Sequence, residues 1–115
     1  VILGEGNTST RADANTFWVK ASGTELRTVG TTDFVRVRFD RVLSLLETDG
    51  LSDDAVRAGL EAAKVNPNIT ARPSVETVLH ALALQLEGVN FVGHTHPTAV
   101  NAILCSQNAE KAIAG

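Results

Sequence analysis

The chain has 115 residues, 43% of them hydrophobic and 20% charged, and a formal net charge of −3. That length suits one domain with a modest core, and the composition excludes a disordered chain. Its Lys and Arg residues are dispersed, which argues against a nucleic-acid surface, and no apolar run approaches the roughly 18 residues of a membrane span.

Cys105 is the single cysteine, so an internal disulfide is impossible and a reducing, cytoplasmic setting is expected. It reads as a small buried helix residue and not as a nucleophile. In that setting Asn7-Thr-Ser9 and Asn68-Ile-Thr70 are chance matches to the glycosylation sequon. No signal peptide is read at the start. The chain opens on Val1-Ile-Leu without Met and stops at Gly115 after an Ala-rich stretch. Residues 1–115 are therefore expected to form one domain that is incomplete at both ends.

In chain order, residues 1–11 carry glycines around Glu5 and read as a loop or a short strand with a turn. Residues 16–21 read as a strand from their β-branched and aromatic content, broken by Ser22-Gly-Thr. Phe34-Val-Arg-Val-Arg-Phe39 alternates apolar and basic residues, the pattern of a strand with one solvated face. Asp40 is placed to cap a short helix through Leu46. Ser52-Asp-Asp opens a clear helix, with Ser52 as N-cap and two acids complementing the helix dipole. After the loop residues Asn66-Pro-Asn and Ala71-Arg-Pro, Ser74 is expected to cap a helix from about Val75 to Leu86. Val78, Leu79, Leu82 and Leu86 would form its buried stripe. Residues 89–94 read as a buried strand, and Pro97 starts a further helix. Strands followed by helices suggest an α/β or α+β layered domain.

The chemistry concentrates near the end of that pattern. His94 and His96 stand two apart on a strand and so share a face, where both can reach one cation. Zinc in a catalytic site wants about three protein ligands, so two histidines do not complete one. Glu76 sits at a helix start, where an acid is common for the dipole alone, yet a carboxylate beside a cation also moves protons. His80, four residues on, shares its helix face; it fits packing or a supporting contact better than ligation. The glycine-bearing segments around Gly6 and Gly23, and Ser74 at a helix start, offer N–H and hydroxyl groups suited to an anion, or are plain turns and a cap. Lys20 and Arg72 would assist an anion, or are surface charges.

Taken in order, these pieces resemble the class II aldolase/adducin family. Gly6-Asn-Thr-Ser9 looks like its Gly-Asn-x-Ser element, Val19-Lys-Ala-Ser-Gly23 its strand ending in a Ser/Thr-Gly turn, Pro73-Ser-Val-Glu76 its Pro-Ser-Ser-Glu, and His94-Thr-His96 its His-x-His. The wording of Trp18-Val-Lys-Ala-Ser-Gly and Arg72-Pro-Ser-Val-Glu-Thr is also similar to the aldolase part of rhamnulose-1-phosphate aldolase/short-chain dehydrogenase fusions. The resemblance implies a three-layer α/β/α fold with a mainly antiparallel central sheet, a divalent metal, most commonly zinc, and a homotetramer. It implies a lyase of carbohydrate metabolism that cleaves a carbon–carbon bond of a sugar phosphate through a zinc-stabilised enediolate. The metal ligands would be His94 and His96, with Glu76 as acid/base and as a possible ligand when no substrate is bound. Gly6, Asn7, Ser22, Gly23 and Ser74 would surround the substrate's phosphate. The family's third histidine ligand is absent from this chain, and Val75 replaces a serine of the anion site. A same-family epimerase or dehydratase, or a non-catalytic adducin-like scaffold, stays open beside the aldolase. The fragment alone is not expected to carry a complete active site.

Overall fold

A computed structural model describes residues 6–95. His96, Pro97 and Cys105, with the helix expected after Pro97, lie outside the described residues. Four strands, β1 (Asn7–Arg11), β2 (Thr16–Lys20), β3 (Phe34–Arg38) and β4 (Phe91–His94), and three α-helices, α1 (Phe39–Ser44), α2 (Asp53–Ala62) and α3 (Thr77–Leu84), follow the order β1-β2-β3-α1-α2-α3-β4. The strands form one antiparallel sheet in the order β3-β2-β1-β4. This is the mixed α/β architecture with an antiparallel sheet that the sequence implies.

The register decides what faces the core. Phe17 pairs with Val37 and Val19 with Val35, while Ser9 pairs with Val19 on one side and Val92 on the other, and Asn7 with His94. Cross-strand partners share a face, so these residues form one continuous surface. Phe17, Val19, Val35 and Val37 are essentially inaccessible and join Phe39, Val42, Leu60 and Leu84 from the helices in one cluster. Each such side chain contributes roughly 1.5–3 kcal/mol on burial. Phe17 and Phe39 stack at a tilt, ring centroids 4.6 Å apart.

At the Asn7 and Ser9 end the same surface turns polar, and α3 covers it. Arg11, further along β1, donates to the Leu84 carbonyl at the far end of α3, meeting a carbonyl that the helix leaves without an intrahelical donor. Its guanidinium lies 4.8 Å from the centre of the Phe39 ring. Arg11 thus ties the last residue of α3 to β1.

The expectations for the last described helix and strand need correction. Ser74 does not cap α3: the helix begins at Thr77, Glu76 occupies the N-cap position, and the Ser74 hydroxyl is used elsewhere. The buried stripe is Thr77, His80, Ala81 and Leu84, whereas Leu79, Leu82 and Leu86 are exposed and Val78 is only partly covered. The helix can turn His80 inward because both its ring nitrogens find partners there. Nor is β4 a buried strand. It pairs only with β1 among the described residues, and Phe91 is 77% exposed. By contrast Ser52 caps α2 as expected, its hydroxyl accepting from the Ala55 N–H at 3.1 Å.

Candidate functional site

The site lies where β1, β4, the loop before α3 and the first turns of α3 converge. Lys64 sets that loop's path. Its ammonium is buried beneath the loop and donates to the Ile69 carbonyl at 2.5 Å and the Ala71 carbonyl at 3.3 Å, with Glu61 beside it at 2.5 Å. Pro73 then bridges to Ala21, and the Ser22 N–H donates to the Arg72 carbonyl at 2.7 Å. The turn after β2 and the segment before α3 are thereby fastened together. Gly6 and Gly23 both hold positive φ, +92° and +83°, a region in which only glycine is unstrained.

Asn7 is buried on β1 and donates through Nδ2 to the Ser74 hydroxyl at 2.8 Å, while its Oδ1 accepts from the Thr8 N–H at 2.8 Å. Of the five residues expected to surround an anion, Asn7 touches Ser74, and Ser22 is tied to the same loop through Arg72. A cavity of about 520 Å³ opens beside them, lined by Ser22, Arg57, Arg72, Ser74 and Val75 among others. Asn7, Gly6 and Gly23 do not line it. Arg57 was not singled out by the sequence: on α2 it reads as one more solvated charge. Only the packing of α2 against this loop brings it to the cavity.

Lys20 is not a surface charge. It is 2% exposed, and its ammonium donates to the Thr24 carbonyl at 2.5 Å and to the Ala21 carbonyl and Thr24 hydroxyl at 3.3 Å. Burial lowers its pKa from the ordinary lysine value, while the Glu76 and Asp33 carboxylates pull the other way. Arg72, in contrast, is exposed at the cavity.

Four side chains form a line across the sheet end. The Ser9 hydroxyl lies 2.6 Å from His80 Nδ1, His80 Nε2 lies 2.7 Å from His94 Nδ1, and His94 Nε2 lies 3.2 Å from Glu76 Oε2. Ser9 and His80 are fully buried, whereas the His94 and Glu76 side chains are 23% and 32% accessible. The line therefore runs from the interior to an accessible end. Burial pushes the His80 imidazole down to about 4; the His94 charge acts in the same direction and Glu76 opposes both. His80 is thus a neutral imidazole at neutral pH, able to donate from one nitrogen and accept at the other. The sequence signal for His80 was its i+4 spacing from Glu76; Ser9 stood in the Gly6-Asn-Thr-Ser9 element, but nothing there pointed to a histidine 71 residues away.

Among the described residues no group of three or more His, Cys, Asp and Glu side chains is arranged to hold a metal ion. Two converge: the His94 imidazole, its Nδ1 occupied from behind by His80, and the Glu76 carboxylate. An imidazole whose far nitrogen is hydrogen-bonded, beside a carboxylate, is a donor set that zinc accepts. The residues present fit part of a metal centre.

A model of the family described as "Class II Aldolase and Adducin N-terminal domain" matches residues 1–114. The chain is 32% identical to a solved structure from Thermoplasma acidophilum, the N-terminal class II aldolase domain of a conserved protein, with a TM-score of 0.81. That match covers 99% of this chain and 55% of the other. It is also 31% identical to "Uncharacterized oxidoreductase YuxG" of Bacillus subtilis (strain 168) over 94% of its length. The chain spans only 16% of that relative. No described helix is long and apolar enough to cross a membrane.

Proposed function

Since the chain belongs to the class II aldolase and adducin family, we propose that it is the aldolase-type unit of a metal-dependent lyase acting on a sugar phosphate. The observation that carries this reading is the pairing of Glu76 with His94 at 3.2 Å, at the accessible end of a line of polar side chains. His94, His96 and Glu76 would hold a divalent cation, zinc by donor chemistry, with a further ligand from outside this chain's motifs. The bound cation would act as a Lewis acid on adjacent substrate oxygens.

The chain's own residues do the rest. Glu76 gives or takes the proton at the carbon beside the substrate carbonyl, which would require its carboxylate to stand clear of the bound cation when substrate enters. Asn7, Ser22 and Ser74, with Gly6 and Gly23 shaping the turns, take the anionic end of the substrate. Arg57 and Arg72 add positive charge at the adjoining cavity, against the Glu61 carboxylate that also lines it and that Lys64 engages. Val75 exposes an apolar side chain there in place of a hydroxyl, so the anion site has one donor fewer and the cationic groups carry more of the recognition.

A homotetramer in the cytoplasm is the assembly and setting this reading carries. The name of the Bacillus relative, an oxidoreductase, and its much greater length favour a second reading of the whole protein. In it the lyase unit is joined to a dehydrogenase that acts on a cleavage product.

The test is direct. In the intact protein, His94→Ala with His96→Ala removes bound zinc and turnover on ketose 1-phosphates. Unchanged zinc content in the double variant ends the metal-site reading. A parent protein that neither cleaves these substrates nor exchanges their α-proton into heavy water favours the non-catalytic, adducin-like alternative.

A further inference from the structure

Metal-ligating histidines usually donate their second N–H to a carboxylate or a carbonyl, groups that can only accept and so fix one tautomer. Here the line behind His94 ends differently. His94 Nδ1 meets a second imidazole, His80, at 2.7 Å, and His80 in turn meets a hydroxyl, Ser9, at 2.6 Å. Both a neutral imidazole and a serine hydroxyl can donate or accept. Nothing at the buried end dictates the direction of the hydrogen bonds.

The accessible end does dictate it. Glu76 as a carboxylate only accepts, so His94 Nε2, 3.2 Å away, carries the proton. With its proton on Nε2, His94 accepts at Nδ1 from His80 Nε2–H, and His80 accepts at Nδ1 from the Ser9 hydroxyl. Every bond points from Ser9 toward Glu76. A cation at His94 Nε2 needs the lone pair there, so the ring proton must sit on Nδ1. His94 then donates to His80 Nε2, and His80 Nδ1–H donates to Ser9. Every bond points the other way, with no side chain moved and no net charge added behind the ligand.

We propose that His80 and Ser9 are positioning residues forming a reversible hydrogen-bond line, whose direction is set by whether His94 Nε2 faces the Glu76 carboxylate or a divalent cation. The inference rests on the metal-site reading above and adds to it the reason for a buried histidine and serine in series. It also links loading to release of Glu76: the same cation that reverses the line takes the nitrogen that Glu76 engages.

The experiment uses the intact protein with isotope-labelled histidine nitrogens, and reads each ring's tautomer from two-bond proton–nitrogen correlations without metal and with saturating zinc. Without metal His80 is protonated at Nε2; with zinc it is protonated at Nδ1. Chelator competition gives the second readout. Ser9→Ala weakens zinc binding about tenfold or more, the usual effect of losing such a supporting contact, and Ser9→Thr, which keeps the hydroxyl, restores it. A His80 tautomer unchanged while zinc shifts the His94 signals overturns the reversal but leaves the metal site standing. Zinc that leaves His94 unshifted overturns the metal site and this inference together. Undiminished zinc affinity in Ser9→Ala removes Ser9 from the line. Should Ser9→Ala fail to fold, the tautomers of the unaltered protein decide alone.

Discussion

Asn7 and Ser74, 67 residues apart, are joined by a 2.8 Å hydrogen bond from the amide of one to the hydroxyl of the other. The bond ties the start of β1 to the loop that leads into α3, and it orients a hydroxyl that Val75 leaves without a serine neighbour. Asn7→Ala should raise KM for anionic substrates about tenfold, the order expected for one lost hydrogen bond to a charged group, with kcat changed less. Steady-state kinetics on matched phosphorylated and unphosphorylated ketoses checks this. A KM unaltered for both would remove Asn7 and Ser74 from substrate recognition.

Glu76→Gln should lower turnover by about 100-fold or more while zinc and fold are retained, because general acid–base catalysis typically contributes 10²–10⁴. The glutamine keeps a carbonyl oxygen toward His94 but cannot accept a proton. Exchange of the substrate α-proton into heavy water, followed by NMR, is the measurement. Parent-like exchange in the variant would reduce Glu76 to electrostatics at a helix start.

Gly6→Ala should destabilise the domain by about 1–3 kcal/mol, since a side chain at positive φ is strained. The site has little room for it. An added Cβ would stand 2.9 Å from the His94 carbonyl and 2.8 Å from a Leu26 methyl, and the carbonyl is backbone that cannot swing aside. Urea unfolding measures the loss, and zinc affinity should fall with it because the displaced residue is His94. A variant as stable as the parent would contradict the close packing of β1 on β4.

Asp13 gives the pH dependence. One of its oxygens accepts from the Asn15 and Thr16 N–H groups and the Thr16 hydroxyl, the other from Arg36 at 2.7 Å. The bond from the Asn15 N–H, then that from the Thr16 hydroxyl, lead in holding its pKa below the ordinary value of 3.8. The folded state therefore binds the proton less readily than the unfolded one. The stabilisation is present above pH 3.8 and disappears as pH falls through the lower folded value. Thermal melts of parent and Asp13→Asn should differ at neutral pH and converge in acid. A gap that persists in strong acid would mean that the turn is held by something other than this carboxylate.

Much of the frame was readable from local chemistry. Alternation in Phe34-Val-Arg-Val-Arg and the acids behind Ser52 each report a period or a cap within a few residues, and β3 and α2 stand there. The likeness to the family is likewise borne out by the match over residues 1–114. The face of α3 was not readable from its leucines, because that count leaves His80 out of the buried stripe even where packing is allowed for it. His80 goes inside since Ser9 and His94, contributed by two different strands, satisfy both of its nitrogens. Arg57 was missed for the same kind of reason: its neighbours at the cavity come from the turn after β2 and the loop before α3. What a residue does here depends on partners that the local pattern does not contain.

The sheet order β3-β2-β1-β4 has a consequence for how the domain comes together. Strands β1 and β2 are neighbours in sequence and pair through a four-residue turn, residues 12–15, and β3 follows closely. β4 must return across some eighty residues to lie against β1, with Asn7 meeting His94. Closing that span costs chain entropy before any contact offsets it, and such distant pairings form late. On a ribosome, residue 94 must clear the exit before Asn7 can find it. The three-stranded hairpin array can therefore exist before the Glu76–His94 pair does, and that pair is complete only once β4 has docked on β1.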